Sequence, residues 1–597
     1  MTIPERIQSL RQRMAEEGIA AYYIPTNDFH GSEYVGAYFK TREYISGFTG
    51  SAGTVIVTRE EAGLWTDGRY YIQAEKQLEG SGIQLFRSGQ EGVPDTKSYL
   101  QSALKEGEIL GCDGRLVTMD WLAKMKEKFT LRCDLDLVGD IWEERPKRTA
   151  EPIWLLAPCY AGCSREEKLS RLWDWMKSKE YDSFILTSLD DIAWLLNIRG
   201  NDIPCNPVAF AYAIFQQDRG TLFCAKKAVS EEVMEALLEA NISVEEYDAV
   251  EYAVRNIGQG KSIAVDYRVV NAHLCGLIPE GNTVADVVNP TVLWKAVKND
   301  TEMDNERQAH IKDGVAITRL LYWLHQHIED TPMTEISVMQ KLEELRSTDK
   351  DYLGASFETI AGYAAHGAIV HYGATPETDL PLKADNFLLL DMGGQYYQGT
   401  TDITRTVLLG GDATEEQKKY YTAVLRGNLN LGAAKFKQGT SGVSLDILAR
   451  GPLWEMGCDY EHGTGHGVGY LLNVHEGPNA IRHRISDAPG GNVPLQPGML
   501  TSNEPGIYLE NQYGIRLENL ILCVEAEKTE FGQFLEFETL TLVPFDRRAI
   551  APELMSDREK KLLNEYHQRV YEIIAPYLTE DERQWLQEEC APIKTVL

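Results

Sequence analysis

The sequence predicts two related mixed α/β domains followed by a larger α+β domain rich in antiparallel strands. Three observations lead there. The chain has 597 residues, more than one hydrophobic core ordinarily spans. Its first half runs twice through the same order of helix, strand, short acidic turn and glycine-containing loop. After the charged segment KAVKNDTEMDNERQ the pattern changes to amphipathic helices alternating with paired apolar runs, the mark of an α+β domain.

The first block, residues 1–148, opens on the helix candidate MTIPERIQSLRQRMAEEG, whose charges run throughout. A secretion signal would instead carry an apolar centre. The strand-like runs AAYYIP, TVIVT and AGLWTD follow, and the block closes in the polar stretch WEERPKRTAEP. The second block, 149–300, restarts with the amphipathic SREEKLSRLWDWMKSK, the strand SFILTS and the helix DDIAWLLNI, in which Trp194 reads as a core residue. Ala21–Pro25 corresponds to Phe184–Thr187 and SGFTGSAG to IRGNDIP, so the two blocks read as a duplicated unit. In the third block, 301–597, Ile317, Leu320, Leu321, Leu324 and Ile328 have the spacing of a core-facing helix. A second helix begins near Thr414, with Gln417 in capping-box position. This block is expected to lay its helices against one face of an antiparallel-rich sheet.

Composition removes several functions. A formal net charge of -31 opposes nucleic acid and anionic membrane as partners. No run approaches the ~18 to 20 apolar residues of a membrane span. The ten cysteines form no C-x-x-C pair, and Cys159 and Cys163 lack a second pair for structural zinc. Mostly buried thiols in a reducing cytoplasm are expected.

The chemistry lies in the last third. Asp391 and Asp402 stand in FLLLDMGGQYYQGTTDITRTVLL, two apolar runs broken by Gly393 and Gly394, which reads as an antiparallel strand pair able to aim both carboxylates at one point. His466 lies in HGTGHGVG, where glycines let the backbone crowd a small site. Glu504 in MLTSNEPGIYL and Glu518 in GIRLENLILCV occupy two further strand-like runs joined by Asn511-Gln512-Tyr513-Gly514. Singly, each has a plainer reading: Asp391 as turn chemistry beside Gly393, Glu504 before Pro505 as a solvated turn, Glu518 as a surface strand residue. A nucleotide loop at HGTGHGVG fails because Val468 stands at the third glycine position. His325 and His327 are two apart on a helix and do not face each other. The five residues together favour metal, because four converging carboxylates repel unless cations cancel them. Two divalent ions would do so. Oxygen-rich ligation with one imidazole suits Mn2+ first, with Co2+, Zn2+ or Fe2+ as alternatives. Two ions sharing a water lower its pKa and supply a hydroxide nucleophile.

On these motifs the third block resembles the methionine aminopeptidase, prolidase and creatinase superfamily with the pita-bread fold, and the whole chain resembles the long, three-domain form of Xaa-Pro aminopeptidase (aminopeptidase P). The resemblance implies two creatinase-like N-terminal domains, a pita-bread catalytic domain with a C-terminal extension, and metal ligation by Asp391, Asp402, His466, Glu504 and Glu518. It places His371 of IVHYGA, His462 of HGTGH and His475 of NVHEGP on the substrate side, with Glu504 as general base. The five residues YLLNV between Gly469 and His475 match the long form, as do PFDRRAI, LLNEYH and QWLQEECAPI in the tail. Peptides with proline at the second position are the implied substrates, and a cytoplasmic homodimer the implied assembly. His366 in YAAHGAIVHY departs from the pattern and its role stays open, as does that of Arg69 in TDGRYY, which could reach a neighbouring subunit's site. Two other readings are a prolidase restricted to dipeptides and a metal-free peptide-binding relative.

Overall fold

The computed structural model describes residues 1–485 and 492–594. Two compact units emerge, one of Met1–Pro158 with Cys163–Thr291 and one of Cys159–Gly162 with Val292–Leu597.

The first unit contains the duplication. One six-stranded sheet comprises β1 (Ile19–Pro25), β2 (Thr54–Thr58), β3 (Ala62–Thr66), β4 (Gln84–Arg87), β5 (Ile109–Cys112) and β6 (Thr130–Arg132), in the order β4-β3-β2-β1-β5-β6. The other comprises β7 (Ser183–Leu186), β8 (Ala211–Gln216), β9 (Arg219–Cys224), β10 (Ile242–Glu246), β11 (Ser262–Val265) and β12 (Thr283–Asp286), in the order β10-β9-β8-β7-β11-β12. The two orders are the same, and so are the directions: the central strand pairs antiparallel with the next in sequence and parallel with the fifth. The strands matched by sequence, β1 and β7, hold that same central place. Each repeat also opens on a helix closed by a capping box, Thr2 with Glu5 on α1 (Ile3–Glu16) and Ser164 with Glu167 on α2 (Arg165–Ser178). Strand β1 is apolar on both faces because both are covered: Tyr22 and Ile24 enter one cluster, Ala21 and Tyr23 another. Trp194 is buried on the helix Leu189–Leu196.

In the second unit the charged segment is mostly helix: only residues 297–299 link the helix Pro290–Ala296 to the long helix that follows. Asn299 caps α3 (Asp300–His327) in a capping box with Glu302, and Glu302 and Glu306 are buried. Ile317, Leu320, Leu321 and Leu324 form its core face, with Ile328 packed partly buried beside them. The helix α4 (Glu335–Arg346) packs on α3, and α5 (Glu415–Gly432) starts with the Thr414–Gln417 capping box. Strands β13 (Ile360–Tyr363), β14 (Phe387–Met392) and β15 (Ile403–Leu408) form an antiparallel sheet with β14 central. Helices do not keep to one face of it. Leu388, Leu390 and Met392 enter the cluster of α3, whereas Phe387 packs with Tyr421 and Val424 of α5. Nor is there one sheet: β16 (Leu500–Asn503) pairs with β19 (Asn519–Thr529), and β17 (Gly506–Leu509) with β18 (Tyr513–Arg516). Each apolar run thus breaks in two, at Glu504-Pro505 and at Leu517-Glu518. Proline lacks the N–H a ladder needs, and both acids stand at a break.

The ten cysteines are thiols outside any disulfide, five buried, four half-buried and Cys159 exposed, so burial holds for half of them. Among the described residues no helix is long and apolar enough to cross a membrane.

Candidate metal centre

Strand alternation aims the first carboxylates. In the β14–β15 ladder Asp391 lies opposite Thr404, and Asp402 precedes Thr404 by two, on the same side of the chain. Ile403 and Val407 turn instead into the apolar cluster. The backbone of Glu518 is fixed to this ladder by its N–H, which donates to the Thr404 carbonyl at 3.0 Å, and the Thr404 hydroxyl donates to Glu518 Oε2 at 2.6 Å. His466 is seated from the other side. Its N–H donates to Ser502 Oγ at 2.9 Å, and Ser502 Oγ donates to Glu504 Oε1 at 3.0 Å. The glycine loop allows this approach: a Cβ at Gly465 would run into the Ser502 carbonyl, and one at Gly467 into that of Glu476.

Side-chain atoms of Asp402, His466 and Glu518 lie within 4.8 Å of one another. His466 Nε2 is 3.4 Å from Asp402 Oδ2 and 3.5 Å from Glu504 Oε1. Its Nδ1 is 3.0 Å from the Gly467 carbonyl; donation there leaves Nε2 with a free lone pair. Asp391 Oδ1 is buried with no hydrogen-bond partner. Such an atom is costly unless a cation takes it. The donor set therefore fits divalent metal.

Sequence reading missed a cation. Arg516, nearly fully buried, donates from Nη2 to Asp391 Oδ2 at 2.5 Å, from Nη1 to the Tyr508 hydroxyl at 2.8 Å and from Nε to Thr404 Oγ1 at 3.2 Å. The signal was present in GIRLEN, where Arg516 precedes Glu518 by two. The Tyr508 hydroxyl also lies 2.8 Å from His462 Nε2, so His462, Tyr508, Arg516 and Asp391 form one chain of contacts. A second missed residue is Arg450, fully buried, which donates to the carbonyls of Tyr460 and His462 and holds the loop that leads to His466. The ring of His475 stands edge-on to that of His466, centroids 4.3 Å apart. His371 is half-buried in the turn after Ala364–Ala368.

A model of metallopeptidase family M24 matches residues 304–525, and the C-terminal region of peptidase M24 matches 533–593. Creatinase/prolidase N-terminal domains match 6–143 and 144–302. The probable Xaa-Pro aminopeptidase P of Botryotinia fuckeliana is 39% identical over 99% of this chain and 93% of its own. The chain belongs to the aminopeptidase P branch of metallopeptidase family M24. Aminopeptidase P2 of Arabidopsis thaliana is 36% identical over 99% of this chain and 89% of its own. The X-prolyl aminopeptidase of Caenorhabditis elegans, described as a cytosolic enzyme with a di-nuclear active site, superposes with a TM-score of 0.93 at 34% identity, over 99% of this chain and 100% of that one.

In this M24 chain His366 has its own place. Its Nδ1 lies 2.9 Å from Oε1 of the fully buried Glu335, and its ring packs on Tyr372, whose hydroxyl donates to Glu335 Oε2 at 2.8 Å. It thus braces the segment that carries His371. Arg69 donates to both oxygens of Asp67.

Electrostatics of the ion-free M24 site give a pH prediction. Burial raises the carboxyls of Asp391, Glu504 and Glu518, Glu504 to about 7 from the ordinary 4.5. Burial alone would lower His466, but Asp402 and Glu504 outweigh it and raise the imidazole from 6.5 to about 9. Both folded-state values exceed the unfolded ones. The stabilisation from a proton on Glu504 is complete below 4.5 and lost as pH rises through about 7, and that on His466 is complete below 6.5 and lost through about 9. Ion-free protein should therefore lose thermal stability between about pH 5 and pH 9, while divalent metal, which competes with those protons, stabilises more at the alkaline end. Melting curves with and without chelator test this. A flat ion-free profile would contradict it.

Proposed function

We propose that this chain is a metalloaminopeptidase that hydrolyses the bond between an N-terminal residue and a following proline, with Asp391, Asp402, His466, Glu504 and Glu518 holding two divalent ions, Mn2+ first. The observation that carries the reading is the convergence of Asp402, His466 and Glu518 within 4.8 Å, bordered by Glu504 and by the orphaned oxygen of Asp391. Xaa-Pro specificity is supported by relatives named for it that span nearly the whole chain.

When bound, the two ions cancel the carboxylate charge, polarise the scissile carbonyl and activate water. Glu504 supplies the base. With Ser502 donating to Oε1, its carboxylate takes a proton from the attacking water and returns it to the departing proline nitrogen. That nitrogen has no hydrogen of its own, so the reaction depends on this delivery. His371 and His475 donate to the substrate carbonyl as charge grows on it, while His462, held on Tyr508, faces residues beyond the scissile bond. The acidic site attracts the free α-ammonium of a peptide, which limits release to one residue.

Residues 1–148 and 149–300 are read as two domains for assembly and substrate restriction, and 301–597 as the catalytic domain with its extension. The matching sheet orders and the separate family matches support this division. A cytoplasmic homodimer completes the proposal.

One experiment tests the site. Metal-loaded protein should contain two ions per chain and lose turnover on chelation. Glu518→Gln and Asp402→Asn should lose ions. His371→Ala and His475→Ala should keep both ions yet each lose about 2–4 kcal/mol of transition-state stabilisation, the size of one oxyanion donor. Loss of metal from the histidine variants, or wild-type turnover by the ligand variants, would overturn the assignment.

A further inference from the structure

The first unit brings two thiols together with no part in the metal centre. Strands β5 and β6 run parallel with Gly111 beside Arg132, so the residues that follow, Cys112 and Cys133, emerge side by side. Their Sγ atoms are 3.0 Å apart, within about 1 Å of the length of a disulfide bond. Cys112 is fully buried in the apolar cluster of Tyr23, Leu110 and Leu122, whereas Cys133 is half-buried at its edge. An oxidant therefore meets Cys133 first and finds Cys112 waiting behind it.

We infer that Cys112 and Cys133 are a modification site, a thiol pair that a peroxide converts reversibly to a disulfide. The hydrogen bond from the Cys112 thiol, aided by the Lys126 ammonium and opposed by burial, lowers the pKa of Cys133. The same hydrogen bond and burial raise that of Cys112. Cys133 is thus the nucleophile and Cys112 the resolving thiol. The Cys133 thiolate attacks one peroxide oxygen, the O–O bond breaks, and the departing hydroxide takes a proton to leave as water. Cys112 then gives up its proton and attacks Sγ of the Cys133 sulfenic acid; the S–O bond breaks and a second water leaves. Two sulfurs lose two electrons and one peroxide becomes two waters. A small dithiol reverses the change by exchange.

The bond would sit at a junction. The chain leaving Cys112 runs directly onto the second repeat: Gly114 and Val117 accept from the N–H groups of His273 and Ala272 at 3.0 and 2.8 Å, and the Met119 N–H donates to the Val270 carbonyl at 3.0 Å. A disulfide staples β6 to the root of that segment.

The test is a thiol map of the full-length protein after dilute hydrogen peroxide and alkylation. Arg115 and Arg132 lie between the two cysteines, so trypsin places them on separate peptides that only a disulfide joins. Alkylatable thiols should fall by two, one linked peptide pair should appear, and dithiothreitol should restore both. Cys112→Ser should stall at a sulfenic acid on Cys133 that dimedone traps, and Cys133→Ser should leave Cys112 unoxidised. Both peptides remaining alkylated at peroxide levels that oxidise the exposed Cys159, or either cysteine linked elsewhere, would overturn the inference; the wild-type map decides this even if a variant fails to fold.

Discussion

Glu504→Gln should leave a folded protein that turns over about 10²- to 10⁴-fold more slowly at saturating metal, the range for removing a general base. Glutamine keeps the shape of the side chain and an oxygen for the Ser502 hydroxyl, which donates to Glu504 Oε1 at 3.0 Å. It cannot hold a proton in transit. Because Glu504 also stands 3.5 Å from His466 Nε2, affinity for metal should weaken as well, so the comparison belongs at metal concentrations where added ion no longer raises the rate. Turnover within about threefold of wild type there would remove Glu504 from the proton transfer.

Arg516→Met should have the largest effect on stability, and the effect should depend on metal. The guanidinium is nearly fully buried and is shared among Asp391, Tyr508 and Thr404. Methionine fills similar space but leaves Asp391 as a buried carboxylate without a counter-charge. Breaking a buried pair in this way costs about 3–5 kcal/mol. Ions bound at Asp391 would replace much of the lost charge, so the loss in urea unfolding should be full in chelator and clearly smaller with divalent metal. Equal losses in both conditions would place Asp391 away from the ions.

Much of this was legible in the sequence because period and order carry it. The duplication showed in the repeated order around Ala21–Pro25 and Phe184–Thr187, which take the same central place in two sheets of the same strand order. The spacing from Ile317 to Leu324 gave a core face, and Thr414 with Gln417 a helix start, because both are local. What escaped was tertiary. Charged residues from Asp300 to Arg307 looked like a link, yet Glu302 and Glu306 are buried in a capped helix; polarity alone does not reveal a partner across the fold. The single sheet with helices on one face failed because Pro505 and the break at Glu518 divide the strands. Arg516 stayed unseen since its partners Asp391 and Thr404 lie more than a hundred residues away in the chain.

The most direct test of the central claim is kcat/KM of metal-loaded protein for Xaa-Pro-Pro against Xaa-Pro. An aminopeptidase needs a cleft open beyond the proline, whereas a dipeptidase must meet its substrate's free carboxylate with a cation. Arg516, a cation at this site, is already occupied by Asp391 and Tyr508. The tripeptide should therefore be preferred by roughly tenfold or more, with the first residue as the sole new N-terminal product. A clear preference for the dipeptide would contradict the aminopeptidase reading and make the chain a prolidase.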